Sequence, residues 1–591
     1  MIVDMKELTI LCLVSDQKDS LDALHDMGVV HLTHVKSPEG TDLDEARKRL
    51  TYVRRALEVL PRKTVSERSG KAGEEVVSAV WDILHERHDL EERLEWLRHE
   101  QDRLAPYGSF DPETIRALAD RGVTVKLYHA SPKAEPQSSD EVVIHELVRD
   151  KQGTYFAAVG RGEFDLDADE LRLPEMSLDA VTSEIKDIRD RLYTLDEQLA
   201  GHGGDYGAVA EIVDEAEERV RYLEAREGMG AMDPVVYLRG YCPEEALDRI
   251  RSAAETHGWG LLVDEPSDPD KVPTLIRRPA WVRPVKAVFD MIGIMPGYDE
   301  IDVSSAFLVF FSIFYGMLVG DAGYGLIFAI LTVAARMKFK NMPKPVFSLL
   351  MITSFCTIGW GVLTGTYFGI AELPAPLRQV KIDWLSKDEN IMALCFLIGA
   401  IHLTLAHGWK ALAIGKRLLA LAEIGWILVT WGMFFVARLM VLGRDMPAFA
   451  APVLGVGVAA IVLFMTPVPK LKNEWFNHVM LPLDIISDFV DVVSYVRLFA
   501  VGMATLAVAS AFNDMAIGDG INSIVGGLGA AVVLFIGHTL NIVMAIMGVL
   551  VHGLRLNALE FSQHMGITWK GFPYQPFARR EREPAAEEVS G

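Results

Sequence analysis

The second half of this chain is a succession of apolar runs, and no other feature narrows its possible folds so far. They lie at about Ser304–Gly320, Gly323–Met337, Val346–Gly365, Ile391–Ala406, Leu418–Val436, Ala448–Met465, Leu483–Phe512 and Ile524–Leu554. A membrane-crossing helix takes ~20 apolar residues, so the first two runs are short and the last two are long enough to tilt strongly. The stretch Gly320-Asp321-Ala322-Gly323-Tyr324-Gly325 reads either as a turn between two spans or as a kink within one helix. Charge placement separates the two readings. Arg336, Lys338, Lys340 and Lys344 follow the second run, Lys410, Lys416 and Arg417 the fourth, and Lys470 and Lys472 the sixth, whereas Asn513 to Ser523 holds no Lys or Arg. With a cytoplasmic first half and about eight spans, these clusters and Arg579-Arg580 all fall on the cytoplasmic side. A kink would invert every later loop, so eight spans are expected.

Two arginines stand inside these runs. Arg497 sits in Ser494-Tyr495-Val496-Arg497-Leu498-Phe499-Ala500, and Arg555 in His552-Gly553-Leu554-Arg555-Leu556. A guanidinium keeps its charge, with a pKa above ~12, and its insertion at mid-membrane costs about 2.5–3.5 kcal/mol. Such a residue is functional by default and needs a partner. At ~100° per residue, the Arg497 face carries Val490, Val493, Val501, Ala504 and Val508, with Ser494 to one side. The Arg555 face carries Gly537, Asn541, Met544 and Gly548. Neither face supplies an anion at helical spacing, so the partner carboxylate is expected from elsewhere, another protein included. Tight static packing of small faces is the bland alternative. Other polar residues in the membrane region are Asp321, His402, His407, Glu423, Asp484, Asp488, Asp491, His538, Asn541 and His552. Asp321 suits the tight turn, His407 and Lys410 an interface, and the aspartates a water-accessible cytoplasmic end.

The first half is of another kind. Charges are dense up to about Arg283, and most of the excess of 81 acidic over 58 basic residues lies there. That balance argues against nucleic acid as a partner, since phosphate binding calls for a basic face. The four cysteines, Cys12, Cys242, Cys356 and Cys395, have no metal-ligand spacing, which fits a reducing compartment. The first residues show no signal-peptide pattern, so this half is expected in the cytoplasm. Leu8–Val14, the helical pattern through Leu21, Leu24 and Met27, and Val29–Leu32 form a β-α-β rhythm. Strands are expected at Thr124–Tyr128, Tyr155–Val159, Val235–Tyr241 and Gly260–Val263, with a helix at Glu244–His257. Between them run heptads: Leu43 to Leu60, Val80 to Leu104 after a break at Ser69-Gly70, Leu178 to Leu199, and Val209 to Leu223. Apolar a and d positions with charged flanks predict coiled-coil seams, and Gly201–Gly204 permits a turn, so an antiparallel arm is expected. Internal helix packing is the alternative to a long stalk. No G-x-x-x-x-G-K-[ST] loop occurs, which argues against ATP binding by this chain, and no cofactor is implied.

The two arginine motifs, Ser-Tyr-Val-Arg-Leu-Phe-Ala and His-Gly-Leu-Arg-Leu-Asn-Ala-Leu-Glu-Phe, closely resemble those of the rotary V/A-type ATPase stator subunit, subunit a or subunit I. Gly316–Gly325 and Gly361–Gly369 resemble it as well, and the likeness extends over the whole chain. It implies a multi-domain protein: cytoplasmic α/β lobes joined by long antiparallel coiled-coil helices over residues 1–290, an all-α membrane domain of about eight spans over 291–570, and a cytoplasmic tail over 571–591. Two long tilted C-terminal helices would press on a rotating ring of small subunits that each bear a carboxylate, and peripheral stalks would hold the arm. The central stalk and catalytic ATPase head would be engaged indirectly. The resemblance makes Arg497 and Arg555 ion-translocating residues, since a fixed cation lowers a neighbouring carboxylate's pKa by ~1–3 units and so expels its proton or sodium ion. Some relatives carry a histidine after the first arginine and an acid before the second, where this chain has Thr505 and Ala545. Ser494, His538, Asn541, His552 and Glu560, with Asp484, Asp488, Asp491 and Glu423, are half-channel or supporting candidates. The implied location is a bacterial or archaeal plasma membrane, with both termini cytoplasmic. A secondary transporter with a regulatory arm would instead show internal repeats, and none is visible; a scaffold with internally paired arginines is a third reading.

Overall fold

The computed structural model describes residues 1–61, 72–132, 137–339, 342–370, 373–415, 418–467, 471–518, 520 and 524–579. Ser69-Gly70, Lys340, Lys416, Arg417, Lys470 and Arg580 of the sequence argument lie outside them. The chain forms two compact units, one of residues 1–11, 29–32 and 239–576, the other of residues 12–28, 33–238 and 577–591.

The elements follow in chain order. They begin with β1 (Met5–Leu13), α1 (Gln17–Met27), β2 (His31–Thr33), α2 (Thr41–Val59), α3 (Gly73–Leu104), α4 (Pro112–Ala119), β3 (Val123–Ala130), β4 (Val142–Arg149), β5 (Thr154–Arg161) and β6 (Asp169–Leu171). Next come α5 (Leu178–Gly201), α6 (Tyr206–Glu227), β7 (Gly230–Met232), β8 (Val235–Pro243), α7 (Leu247–His257), β9 (Gly260–Asp264) and α8 (Lys286–Ile292). The rest is helical: α9 (Ser304–Val319), α10 (Ala322–Lys338), α11 (Lys344–Thr364), α12 (Ala375–Val380), α13 (Asp388–Ile414), α14 (Ala420–Leu442), α15 (Ala450–Phe464), α16 (Leu471–Ser494), α17 (Val496–Ile517), α18 (Ile524–Gly548) and α19 (Ser562–Met565).

In the unit of residues 33–238, the heptad series become α2, α3, α5 and α6. Arg47 pairs with Glu224, Arg54 with Glu217 and Asp42 with Arg226, so α2 runs antiparallel to α6. Glu86 pairs with Arg191 and Arg93 with Glu184, so α3 runs antiparallel to α5. These pairs are largely exposed and each contributes about 0.2–1 kcal/mol. The larger stabilisation comes from the apolar seams beneath them, where Val53, Val76, Val80, Leu195, Leu199, Val209 and Val213 form one buried cluster and Leu97, Leu104, Val181 and Ile185 another. Gly201–Gly204 does not turn the chain back on itself as the sequence permitted. His202–Asp205 form a short 3-10 turn between α5 and α6, and each of these two helices packs on an earlier one. The arm is therefore closed by α2–α3 against α5–α6. A four-stranded sheet ordered β4-β5-β3-β6 completes this unit, with Val125 opposite Val159 and Tyr128 opposite Phe156. β4 was not legible as a strand; its alternate residues are exposed, and Glu146 and His145 break the apolar alternation.

In the other unit, β1 pairs antiparallel with β9 from Glu7 opposite Asp264 to Leu11 opposite Gly260. Each of the eight apolar runs is helical. Among the described residues, five helical stretches are long and apolar enough to cross a membrane: Lys344–Thr364, Asp388–Ile414, Ala420–Leu442, Glu474–Ile517 and Ile524–Met565. Ser304–Val319 and Ala450–Phe464 are shorter apolar helices. Gly320–Asp321 is a capped turn between separate helices. Gly320 ends α9 at φ +71°, and Asp321 Oδ1 accepts the Gly323 and Tyr324 N–H groups that start α10. Asp321 Oδ2 also accepts Gly369 N–H, and Thr366 donates to the Gly320 carbonyl, so the two glycine motifs lock one corner. Gly361 lies so close to it that a Cβ there would meet Ala322 N at 2.1 Å.

Candidate functional site

The last two long helical stretches meet at their charged ends. α16 and α17 are separated at Tyr495, where the Tyr495 and Leu498 N–H groups bond three residues back rather than four. This tightened turn places Arg497 in the first turn of α17. Tyr495 itself is fully buried, held against Gly399, with its hydroxyl 2.8 Å from His402 Nδ1. His402 in turn is stacked between Phe310 and Phe561, at 3.9 and 4.3 Å between centroids. His402 therefore serves packing, and the buried Tyr495–His402 pair fixes where the α17 helix begins.

After Gly548 the backbone widens into two π-helical stretches, Val549–Gly553 and Leu556–Phe561, with Arg555 between them. The change of winding matters for the sequence expectation. On an α-helix, residue i+5 lies well round from residue i, but a π-turn closes i to i+5 and returns Glu560 to the side of Arg555. Arg555 Nε donates to Glu560 Oε1 at 3.2 Å, and Arg497 Nη1 donates to the same oxygen at 3.2 Å. Arg497 Nη2 also donates to Ser494 Oγ at 2.9 Å. The expectation that the arginines find no anion within their own helices is thereby corrected: one buried glutamate joins both. Glu560 is 4% exposed, while the Arg497 and Arg555 side chains are 26% and 51% exposed. Glu560 Oε2 has no hydrogen-bond partner among the described residues. One carboxylate between two guanidiniums leaves a net positive charge on a partly open surface.

The face assigned to Arg555 by uniform α-helical winding is corrected too. Gly537 packs on Phe512 and Gly548 on Val501, and Asn541 donates to the Thr505 carbonyl at 2.8 Å, so these three positions of α18 lie against α17, while Met544 of the same face stays exposed. The first π-stretch, Val549–Gly553, lies between this face and Arg555 and takes Arg555 off it. His552 lies half-buried on the first of them.

Polar networks extend from this centre on two different groups of helices. In the first, Tyr324 of α10 meets two residues of α18: its hydroxyl is 2.6 Å from His538 Nδ1 and accepts from Asn541 Nδ2 at 3.0 Å, and α17 joins through His538 Nε2, 3.1 Å from Asn513 Oδ1. The second joins α13, α14, α16 and α19. Lys410 pairs with Glu423 at 3.0 Å, Glu423 meets His407 Nδ1 at 2.7 Å, His407 Nε2 meets His564 Nδ1 at 2.9 Å, and His564 Nε2 meets Asp491 Oδ2 at 3.1 Å. Asp488, 1% exposed, accepts from Thr430 Oγ1 at 2.9 Å within the same group of helices. Asp484 stands exposed on α16. Of the candidates, the structure thus gathers Ser494, Arg497, Arg555 and Glu560 at one centre, His538 and Asn541 in one network, and Glu423 and Asp491 in another. Sequence reasoning missed Tyr324 and His564. Nothing local marks either one, because each acts across a long chain separation.

These features define a class: a helical membrane protein whose last two long apolar stretches join a pair of arginines to one buried glutamate. No protein-family model matches the chain. It is 29% identical over 630 aligned positions, spanning 98% of this chain and 100% of the relative, to V-type ATP synthase subunit I 1 of Treponema pallidum. Identity is 28% to V-type ATP synthase subunit I of Borreliella burgdorferi, with the same two coverages. It is 26% to A-type ATP synthase subunit I of Methanocaldococcus jannaschii, over 69% of this chain and 64% of that one. A solved structure of the cytoplasmic N-terminal domain of subunit I, homolog of subunit a of V-ATPase, aligns with 44% of this chain at 18% identity. Its TM-score of 0.24 is too low for that overlay to define a shared fold. The chain is thus similar over nearly its whole length to V-type ATP synthase subunit I, and over much of it to the A-type subunit, as the arginine motifs implied.

Proposed function

We propose that this chain is the membrane stator subunit of a rotary V/A-type ATPase, forming the ion path together with a rotating ring of carboxylate-bearing subunits. The observation that carries the reading is the convergence of Arg497 and Arg555 on a single buried oxygen of Glu560, with both guanidiniums partly exposed. Glu560 holds the pair in place and offsets one of its two charges. The second positive charge remains for a carboxylate arriving from outside. When a protonated or sodium-loaded ring carboxylate reaches the pair, the fixed cations favour its ionised form and the ion departs. The membrane potential, at about 2.3 kcal/mol per charge per 100 mV, then couples ion passage to rotation in either direction.

The two polar networks are the natural candidates for the two half-channels. Tyr324, Asn513, His538 and Asn541 serve the side facing away from the cytoplasm. Lys410, Glu423, His407, His564 and Asp491, with Asp488 beside them and Asp484 at the exposed edge, serve the cytoplasmic side. The assignment goes with the proposed topology of eight spans and cytoplasmic termini, in which α13 ends, and α16 begins, on the basic cytoplasmic face. Residues 1–290 form the arm to which peripheral stalks attach, residues 291–570 translocate ions, and residues 571–591 form the tail. Peripheral stalks keep this subunit from turning with the ring, and the catalytic ATPase head and central stalk are engaged indirectly. A secondary transporter is not favoured, because the relatives that align over the full chain are ATP synthase subunits.

Mild-detergent purification of the tagged chain from its native membrane tests the reading. A small, multi-copy hairpin protein with a membrane-embedded carboxylate should copurify along with ATPase subunits. Recovery of the chain without any such protein, from membranes with coupled ATPase activity, would refute it.

A further inference from the structure

The pair His407 and His564 is arranged in a way that a hydrogen-bonded relay alone does not require. Their ring nitrogens Nε2 and Nδ1 face each other at 2.9 Å. The outer nitrogen of each ring meets a carboxylate oxygen, Glu423 Oε2 at 2.7 Å and Asp491 Oδ2 at 3.1 Å. An ionised carboxylate only accepts, so both outer nitrogens carry the N–H. In two neutral rings both inner nitrogens then present lone pairs to each other, a conflict relieved by a proton on one ring or by a metal ion between them. A third donor lies close by: one ligand atom each from His407, His564 and Asp488 fall within 4.8 Å of one another. Asp488 and His407 are 1% and 3% exposed, and Asp488 Oδ2 is buried with no hydrogen-bond partner among the described residues while Oδ1 accepts from Thr430.

We propose that His407, His564 and Asp488 form a binding site for Zn2+ or a similar first-row divalent metal ion. Two imidazoles and a carboxylate are ligands suited to such ions, whereas Mg2+ and Ca2+ favour all-oxygen sites. Zn–N bonds of about 2.0–2.1 Å in tetrahedral geometry separate two nitrogens by roughly 3.3 Å, a small opening from the 2.9 Å seen here. The fourth position is left for water. Metal-bound histidines characteristically donate their other N–H to a carboxylate, and here Glu423 and Asp491 fill that role for both rings. Charge balance agrees. Three ionised carboxylates (Glu423, Asp488 and Asp491) and one ammonium, Lys410, leave a net of two negative charges around neutral rings, which a divalent ion cancels. A bound metal takes both inner lone pairs, so it interrupts proton transfer between the rings; that consequence rests on the half-channel assignment above, whereas the binding does not.

The test uses the assembled complex, stripped with chelator and then titrated with Zn2+ or with Co2+ as a spectroscopic probe. Wild type should bind one equivalent more of Zn2+ than either Asp488→Asn or His564→Gln, each affinity falling at least tenfold, and Co2+ should give the intense visible bands of a tetrahedral site. Asp488→Asn is nearly isosteric, and His564 is part-exposed, so at least one variant is expected to assemble; subunit composition checks this. Equal Zn2+ stoichiometry and affinity in wild type and both assembled variants would overturn the site. ATP-driven proton uptake by proteoliposomes supplies the second readout. Inhibition of wild-type transport by Zn2+ over the concentration range that fills the variant-sensitive site supports both site and path. Zn2+ bound in the variant-sensitive manner with transport unchanged supports the site and overturns only the route through these histidines.

Discussion

Replacing Glu560 by Gln keeps the side chain's shape and removes the one negative charge shared by Arg497 and Arg555. Opposite unit charges about 4 Å apart interact by roughly 4 kcal/mol at an effective dielectric of 20. Desolvation of the carboxylate, which is 4% exposed, reduces the net gain. The two N···O contacts, each 3.2 Å, are longer than the ~2.7–2.9 Å of an optimal charge-assisted bond. About 1.5–3 kcal/mol per bond is the reasonable range for hydrogen bonds to charged groups. This is the interaction an arriving ring carboxylate competes with. In Glu560→Gln the competitor is weakened by a comparable amount, so the ring carboxylate binds the arginines more deeply and leaves more slowly. Since each 1.4 kcal/mol is tenfold, turnover should drop by ~10–100-fold while the amide oxygen still accepts from the guanidiniums and the complex stays assembled. The assay is ATP hydrolysis and ATP-driven acidification of proteoliposomes, measured together with subunit composition. Wild-type rates of both in an assembled Glu560→Gln complex would refute the idea that Glu560 tunes the arginine pair.

Tyr324→Phe removes the hydroxyl that joins His538 to Asn541; ion transport should slow severalfold with assembly unchanged, measured by the same acidification assay. Gly361→Ala should disrupt the packing of α11 on the corner between α9 and α10, because its Cβ would collide with the Ala322 backbone nitrogen; overpacking of this kind costs about 1–3 kcal/mol or more and would appear as a lowered thermal transition of the detergent-solubilised protein. Leu195→Ala in the arm, where Leu195 is 1% exposed, should cost ~2–5 kcal/mol, whereas Arg191→Ala, which breaks a largely exposed pair with Glu86, should cost at most ~1 kcal/mol; denaturation of the purified chain distinguishes them.

The parts of this structure that could be read from sequence are those set by local periodicity. The heptads of α2, α3, α5 and α6 predict helices with a buried stripe, and Val53, Val80, Leu195 and Val213 line it. The eight apolar runs predict eight helices, and Arg497 and Arg555 stand out because charge in an apolar run is costly. What could not be read depends on departures from regular winding or on distant contacts. Glu560 lies five residues beyond Arg555, a spacing that an α-helix separates and a π-turn brings together. The partner of each arm helix was hidden because apolar stripes do not say which other stripe they meet. His564 lies 157 positions from His407, so no motif could join them, and the interruption at Tyr495 follows from a buried tyrosine–histidine contact across 93 positions.

The central claim is that Arg497 acts on a carboxylate that this chain does not contain. Arg497→Ala in the assembled complex tests it most directly, read as ATP-coupled ion uptake by proteoliposomes with subunit composition checked in parallel. The account predicts a complete complex with coupled transport abolished; an assembled Arg497→Ala complex that still transports ions in step with ATP hydrolysis would contradict it.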